Sequence, residues 1–259
     1  MKLAVSGKGG VGKTTLVAAM AAELAARGRR VLAIDADPAA GLAPTLGLAS
    51  DLRIVPISEM HDLIEERTGA RPGTSGGMFR MNPRVSDIPD TCAVSHPGIR
   101  GLRLMVMGTV KKGGGGCACP ENVLLRALVQ HLVLFGDEDL IMDMEAGIEH
   151  LGRATAGAVD RLVVVVEPGR RSVETAFRIR ELAADITLVK VAAVANKIRD
   201  EEDRRFLEKA MEKIPMLGYI PYDDAVSRAD IRGIAPFFAS PVLCREVAGI
   251  VDQIINEKV

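Results

Sequence analysis

An excess of either charge is the first thing this chain lacks. Its 33 lysines and arginines stand against 34 aspartates and glutamates, a formal net charge of −1. That balance removes any general electrostatic case for nucleic acid or an anionic membrane as a partner. No apolar run approaches the roughly 20 residues that span a bilayer, and Met1 leads directly into a strand pattern, leaving no room for a signal peptide. The expected location is therefore cytoplasmic. Cysteine is scarce, four in 259 residues, and in a reducing compartment these are metal or redox candidates before they are disulfide candidates. No covalent nucleophile and no pair of hydrolase carboxylates stands out. Aliphatic residues are plentiful, and a hydrophobic content of 48% is enough to bury the core of one large α/β domain over residues 1–259.

The stretch Gly7-Lys8-Gly9-Gly10-Val11-Gly12-Lys13-Thr14-Thr15 follows a short apolar run, Leu3-Ala4-Val5. It leads into a helical pattern in which Leu16, Met20 and Leu24 recur before Gly28. This is the strand-to-helix turn of a phosphate loop. Backbone N–H groups from Gly9 to Thr15 can wrap a polyphosphate such as ATP or ADP, and the positive end of the helix favours the same anion. Lys13 then reaches the β- and γ-phosphates, the Thr14 hydroxyl ligates Mg²⁺, and Thr15 contacts the α-phosphate. The apolar run Val31 to Ile34 delivers Asp35-Ala36-Asp37-Pro38 to the same edge of a parallel sheet. Leu140-Ile141-Met142-Asp143 is another strand ending in an acid. Asp143 reads as the carboxylate that holds Mg²⁺ through water, and the Gly147 N–H as the switch that meets the γ-phosphate.

Between residues 39 and 100 the pattern is least regular. Glu59 to Arg67 reads as a short amphipathic helix, Gly73 to Gly77 as a mobile loop, and Pro83, Pro89 and Pro97 as the marks of an irregular surface segment or hairpin. Cys92 and His96 lie four apart, but with no second pair nearby a solvent-facing loop is expected rather than a metal site. Leu102 to Met107, Leu162 to Val166 and Val191 to Ala195 read as buried strands, and Pro120 to Phe135 as a helix. The final apolar pattern, from Val242 to Ile255, has helical period with both charge signs and no aromatic on its other face, as a docked core helix has.

Lys111-Lys112 and four glycines precede Cys117-Ala118-Cys119-Pro120-Glu121-Asn122. The glycines give this loop freedom, and the lysines favour thiolates. One Cys-x-Cys pair supplies two ligands where a tetrahedral thiolate site wants four. Two-fold symmetry meets the count, with Cys117 and Cys119 of two protomers bringing four sulfurs to an axis.

Lys8, second in the loop, makes this a deviant Walker A pattern. It resembles that of the MinD/ParA-like partition and septum-site ATPases, the arsenite pump ATPase and the nitrogenase iron protein. The resemblance implies that Lys8 reaches across a two-fold axis to the partner's phosphates and that Asp37 orients the attacking water and senses Mg²⁺. It also implies that Asn196, beside Lys197, reads the adenine edge, and that the backbone of Pro221 borders the base. Asp35 would support the site by hydrogen bonding or a salt bridge. Together with the Gly-rich Cys-x-Cys loop and the phrase from Met142 to His150, these motifs resemble CooC-type ATPases, accessory proteins for nickel insertion into carbon monoxide dehydrogenase. By that resemblance Cys117 and Cys119 bind Ni²⁺ or Zn²⁺ between protomers, and nucleotide state alters dimerisation and metal release. Geometry alone does not choose the metal.

The expected molecule is a seven- or eight-stranded, mostly parallel, doubly wound α/β P-loop ATPase, with the metal loop at residues 111–122. It would act as a Mg²⁺-ATP-dependent homodimeric metallochaperone. A maturation ATPase for acetyl-CoA synthase, a MinD/ParA-type positioning ATPase and an iron–sulfur reductase like the nitrogenase iron protein are the alternatives.

Overall fold

In the central strands neighbouring residues point to opposite faces, and both faces are apolar, so the sheet must be covered on both sides. In a computed structural model the described residues are 1–37, 39–49, 51–73, 78–108, 119–146, 158–188 and 190–256. The strands are β1 (Lys2–Gly7), β2 (Val31–Ala36), β3 (Val94–Ser95), β4 (Leu102–Val106), β5 (Asp139–Met144), β6 (Arg161–Val166), β7 (Val191–Ile198) and β8 (Met216–Pro221). They lie in the order β3-β4-β2-β5-β1-β6-β7-β8. β3 is antiparallel to β4, and every other neighbouring pair is parallel. Of the expected seven or eight strands the sheet has eight, and it is mostly parallel as expected.

β6 shows how the two layers arise. Leu162, Val164 and Val166 join one core, and Val163 and Val165 join the other. The first face is covered by the helices Pro120–Phe135 and Arg170–Asp185, through Leu124, Leu128 and Leu132 and through Ala176, Ile179 and Ala183. The second is covered by Lys13–Ala26 and Pro241–Asn256, the latter through Leu243, Val247, Ile250 and Ile254. The terminal helix sits so close to β8 that a Cβ on Gly218 would lie 2.6 Å from Ile250 Cγ1. Its apolar face is thus spent on the core, as expected. Among the described residues no helix is long and apolar enough to cross a membrane.

The segment that read least clearly contains real elements. A 3₁₀ turn, Ile57–Glu59, precedes a helix that begins at His61 rather than Glu59 and ends at Thr68, where Gly69 takes a φ of 82°. Pro89 lies in the first turn of the short helix Ile88–Cys92, a position that needs no N–H. β3 and β4 form the hairpin. β7 runs past its expected end at Ala195 to Ile198, because its pairing with β8 shifts register between Ala195 and Ile198. At that irregularity Lys197 takes a φ of 61°.

Candidate nucleotide site

Parallel strands bring their carboxyl ends to one edge, and the groups with the chemistry of phosphate binding collect there. Gly7 ends β1 hard against β6, and a Cβ on it would lie 2.5 Å from the Val165 carbonyl oxygen. Gly10 and Gly12 then turn the chain with φ of 81° and 95°, the left-handed region that glycine enters at little cost. The loop is pinned from β7. Asn196 Nδ2 donates to the Val11 carbonyl at 2.7 Å, and Lys197 Nζ donates to the Gly10 carbonyl at 2.6 Å. Among the described residues no peptide is cis, so the Gly12 N–H faces away from the tethered Val11 carbonyl. Holding the carbonyls from one side leaves the amides for an anion on the other. A Cβ on Gly12 would lie 2.3 Å from Asn196 Nδ2, so the tether itself requires glycine.

The helix after the loop starts at Lys13. Lys13 is 7% exposed, with Nζ 3.6 Å from Asp37 Oδ2. The Thr14 hydroxyl donates to Asp143 Oδ2 at 2.6 Å, while Asp143 Oδ1, fully buried, has no hydrogen-bond partner among the described residues. Burial pushes the Asp143 carboxyl up to about 7; the Thr14 hydrogen bond opposes this, and Asp35, its partner in register, pushes the same way as burial. Asp35 accepts from the N–H groups of Leu42 at 2.9 Å and Asp37 at 3.3 Å. Burial raises it as well, more than those bonds lower it. Asp35 thus supports the turn that presents Asp37.

An orphaned carboxylate oxygen beside a threonine hydroxyl, at the mouth of a phosphate loop, is an oxygen donor set suited to Mg²⁺. Phosphate oxygens and water would complete the shell, since among the described residues no three His, Cys, Asp or Glu side chains cluster as a metal site. The nucleotide-binding reading of Lys13, Thr14 and Asp143 therefore rests on groups that lie together.

Lys8 turns back onto its own chain, with Nζ 3.2 Å from Glu167 Oε1; Glu167 Oε2 is 3.2 Å from Lys197 Nζ. Glu167 was not singled out in the sequence, although its place just after an all-aliphatic central strand was a usable signal. Burial pushes its carboxyl up, but the hydrogen bonds from Lys197 and Lys8 outweigh this and hold it below the usual range. Asn196, expected at the adenine, has its Oδ1 bonded to the Lys197 N–H at 2.9 Å, so its amide is committed to the loop and to its own neighbour. Pro221 ends β8 opposite Ile198 at the same edge.

Cys119 is free and partly buried at the start of the helix Pro120–Phe135. Burial raises its thiol, and the Glu121 carboxylate adds to this against a backbone hydrogen bond from Asn122. At this cysteine the local pressure disfavours the thiolate that was expected. Cys117 with the two lysines, Gly147, His150 and Pro38 lie outside the described residues, as do 74–77 of the expected loop. Cys92 and His96 form no metal pair: the His96 ring nitrogens are engaged by the Leu46 carbonyl at 2.9 Å and the Gly98 N–H at 3.1 Å.

Residues 2–237 match the CobQ/CobB/MinD/ParA nucleotide binding domain. The whole chain is 45% identical to the carbon monoxide dehydrogenase accessory protein CooC of Rhodospirillum rubrum, covering 97% of that protein. It is 41% identical to an uncharacterized ATP-binding protein of Methanocaldococcus jannaschii, covering 99% of it. Among solved structures, a chain of the MinC:MinD cell division protein complex of Aquifex aeolicus matches with a TM-score of 0.73 at 22% identity, over 100% of this chain and 97% of that one. The septum site-determining protein MinD of Pyrococcus horikoshii, solved with Mg-ADP, matches at 0.68 and 19%, over 100% and 98%. At those identities the likeness is one of fold.

Proposed function

The chain belongs to the CobQ/CobB/MinD/ParA nucleotide-binding family and is an ATPase, and on that premise we propose that it is a dimeric, nucleotide-gated metallochaperone. In this reading it takes Ni²⁺ or Zn²⁺ as cargo on Cys117 and Cys119 of two copies and assists the maturation of carbon monoxide dehydrogenase or a related nickel enzyme. One pairing of observations carries it: an unpartnered Asp143 carboxylate oxygen beside the Thr14 hydroxyl, a donor pair suited to Mg²⁺, in a chain 45% identical along its length to an accessory protein of that enzyme.

The loop amides and Lys13 hold the phosphate tail, and Lys8 of the second copy adds charge from across the axis. Asp37, now paired to Lys13 at 3.6 Å, is freed when phosphate takes the lysine and turns to orient water. Thr14 would hold Mg²⁺ directly and Asp143 would hold it through water, and the ion would supply charge neutralisation at the phosphates. Asp143 has to give up its proton to do this, so nucleotide binding and deprotonation are linked. Positioning and electrostatics then supply the rate enhancement. Cys119 opens the helix Pro120–Phe135, whose Leu124, Leu128 and Leu132 pack in the same core as Met142 and Met144 of β5. A change at the end of β5 thus has a packed route to the helix that Cys119 opens. A positioning role on a membrane would need a free amphipathic end, and the helix Pro241–Asn256 has its apolar face in the core.

The test is equilibrium binding of Ni²⁺ and Zn²⁺ to the wild type and to the double variant Cys117→Ser, Cys119→Ser, with and without Mg-ATP. One metal ion per two wild-type chains, lost in the variant and altered by nucleotide, is the expected result. Equal stoichiometry in both proteins would eliminate the chaperone reading. Visible absorption of the anaerobically purified protein would point instead to an iron–sulfur reductase.

A further inference from the structure

The proposed function does not use Glu167. Its backbone N–H donates to Ser172 Oγ at 3.0 Å, and Ser172 is buried in the first turn of the helix Arg170–Asp185. That bond fixes the residue at the carboxyl end of β6, beside the start of the phosphate loop. One carboxylate then serves two ammonium groups: Oε1 takes Lys8 and Oε2 takes Lys197, each at 3.2 Å, and Lys197 also holds the Gly10 carbonyl at 2.6 Å. Both lysines are 39% exposed and Glu167 24%, so the bridge lies at the rim, where an ion pair is weak and exchangeable.

We propose that Glu167 is a positioning residue that holds Lys8 against its own chain, sharing its carboxylate with Lys197, until the phosphates of a nucleotide-loaded second copy offer stronger acceptors. This rests on the reading of Lys8 as a lysine that acts across the dimer axis. A triphosphate carries more charge than one carboxylate and outcompetes it, whereas an empty partner does not. Releasing Lys8 does not strand Glu167, because Lys197 remains on its other oxygen and the tether to Gly10 stays in place. The bridge therefore delays association of empty chains without weakening the loop, and it connects Lys8 to the Asn196-Lys197 segment at the end of β7. Among the described residues Asp37 is paired with Lys13, and Asp143 with the Thr14 hydroxyl, so neither duplicates the arrangement.

The experiment compares wild type, Glu167→Gln, Glu167→Asp and Lys8→Ala as full chains. The first readout is acylation of Lys8 in the nucleotide-free protein by a lysine-selective reagent, followed by mass spectrometry. The second is the concentration for half-maximal dimer by sedimentation with Mg²⁺ and a slowly hydrolysed ATP analogue. Glu167→Gln is expected to speed Lys8 acylation and to lower the half-maximal concentration roughly two- to fivefold, the range an exposed ion pair allows. Glu167→Asp, one methylene short of bridging both lysines, shifts both readouts the same way by less and serves if the glutamine variant folds poorly. If Lys8→Ala dimerises like the wild type, the trans role of Lys8 is wrong, and the inference falls with it. If Lys8→Ala fails to dimerise while both Glu167 variants acylate and associate like the wild type, or associate more weakly, only the positioning role of Glu167 is overturned.

Discussion

Two aspartates on one strand, Asp139 and Asp143 at opposite ends of β5, are both buried, at 5% and 0% exposure, and have opposite environments. Asp139 is saturated. Its Oδ1 accepts from the Met1 ammonium at 2.6 Å and from Arg29 Nη2 at 2.8 Å, and Arg29 Nε reaches its Oδ2. Burial pushes this carboxyl up, but Arg29 and the Met1 ammonium outweigh it and hold the group below the usual range. Asp143 has one donor, an orphaned oxygen and a like charge beside it in register, and it is pushed up to about 7. A buried acid whose valences are filled by its own chain is structural. One left short of donors is kept for something the chain does not supply. The amino edge of the sheet is closed chemistry, and the carboxyl edge is open.

Substitution at the open edge should abolish activity and spare the fold. Lys13→Ala removes the cation at the phosphates, and kcat for ATP hydrolysis, measured by phosphate release, should fall by about 10²–10³ or more with the circular dichroism spectrum unchanged. At the closed edge the reverse holds. Asp139→Ala leaves a buried ammonium and Arg29 without their acceptor, which should cost about 2–4 kcal/mol in denaturant unfolding, with ATPase activity per folded molecule unaltered. An equal loss of activity in both variants would break the contrast.

The two acids should also drive stability in opposite directions with pH. The folded pKa of Asp143 is raised, so the native state binds the extra proton between about 4 and 7. Stability of the ligand-free protein from this group is then highest at the acid side of that window and declines as pH rises to about 7, by an amount on the order of a few kcal/mol. Asp143→Asn should flatten that slope in thermal melts and raise the Tm at pH 8. For Asp139 the folded pKa is lowered, so its contribution is present above the unfolded pKa and is lost as pH falls through the folded one. Calorimetry of Mg-ATP binding at pH 6 in two buffers of different ionisation enthalpy should record proton release, and Asp143→Asn should abolish it. Smallest of all, Asn196→Ala removes the tether on Val11 and should raise the KM for ATP by about fivefold, worth roughly 1 kcal/mol.

Much of this open edge was legible in advance because phosphate binding imposes a spacing on the chain. Lys13, Thr14 and Asp143 sit where a strand-to-helix turn and a neighbouring strand end must place them. The strand count and the helix from Pro120 to Phe135 followed from apolar runs of the right length. What escaped was set by contacts across the sheet. The place of Glu167 just after β6 marks it for this edge, but its sharing between Lys8 and Lys197 depends on β6 lying beside β1 and β7 beside β6. The β7 irregularity at Lys197 was hidden for the same reason, since a register shift is a property of two strands. Between residues 51 and 100, short elements punctuated by proline leave no period for a pattern to show, and the helix at Ile88–Cys92 and the two-residue β3 became visible only through their packing.

That shortest strand has a consequence for how the molecule keeps company. β3 runs against the direction of the other strands and offers only Val94 and Ser95 at the margin of the sheet. A neighbouring chain seeking to continue the ladder there would find almost no backbone to zip onto, and in the wrong sense for a parallel array. On this flank, growth into filaments is blunted by two residues.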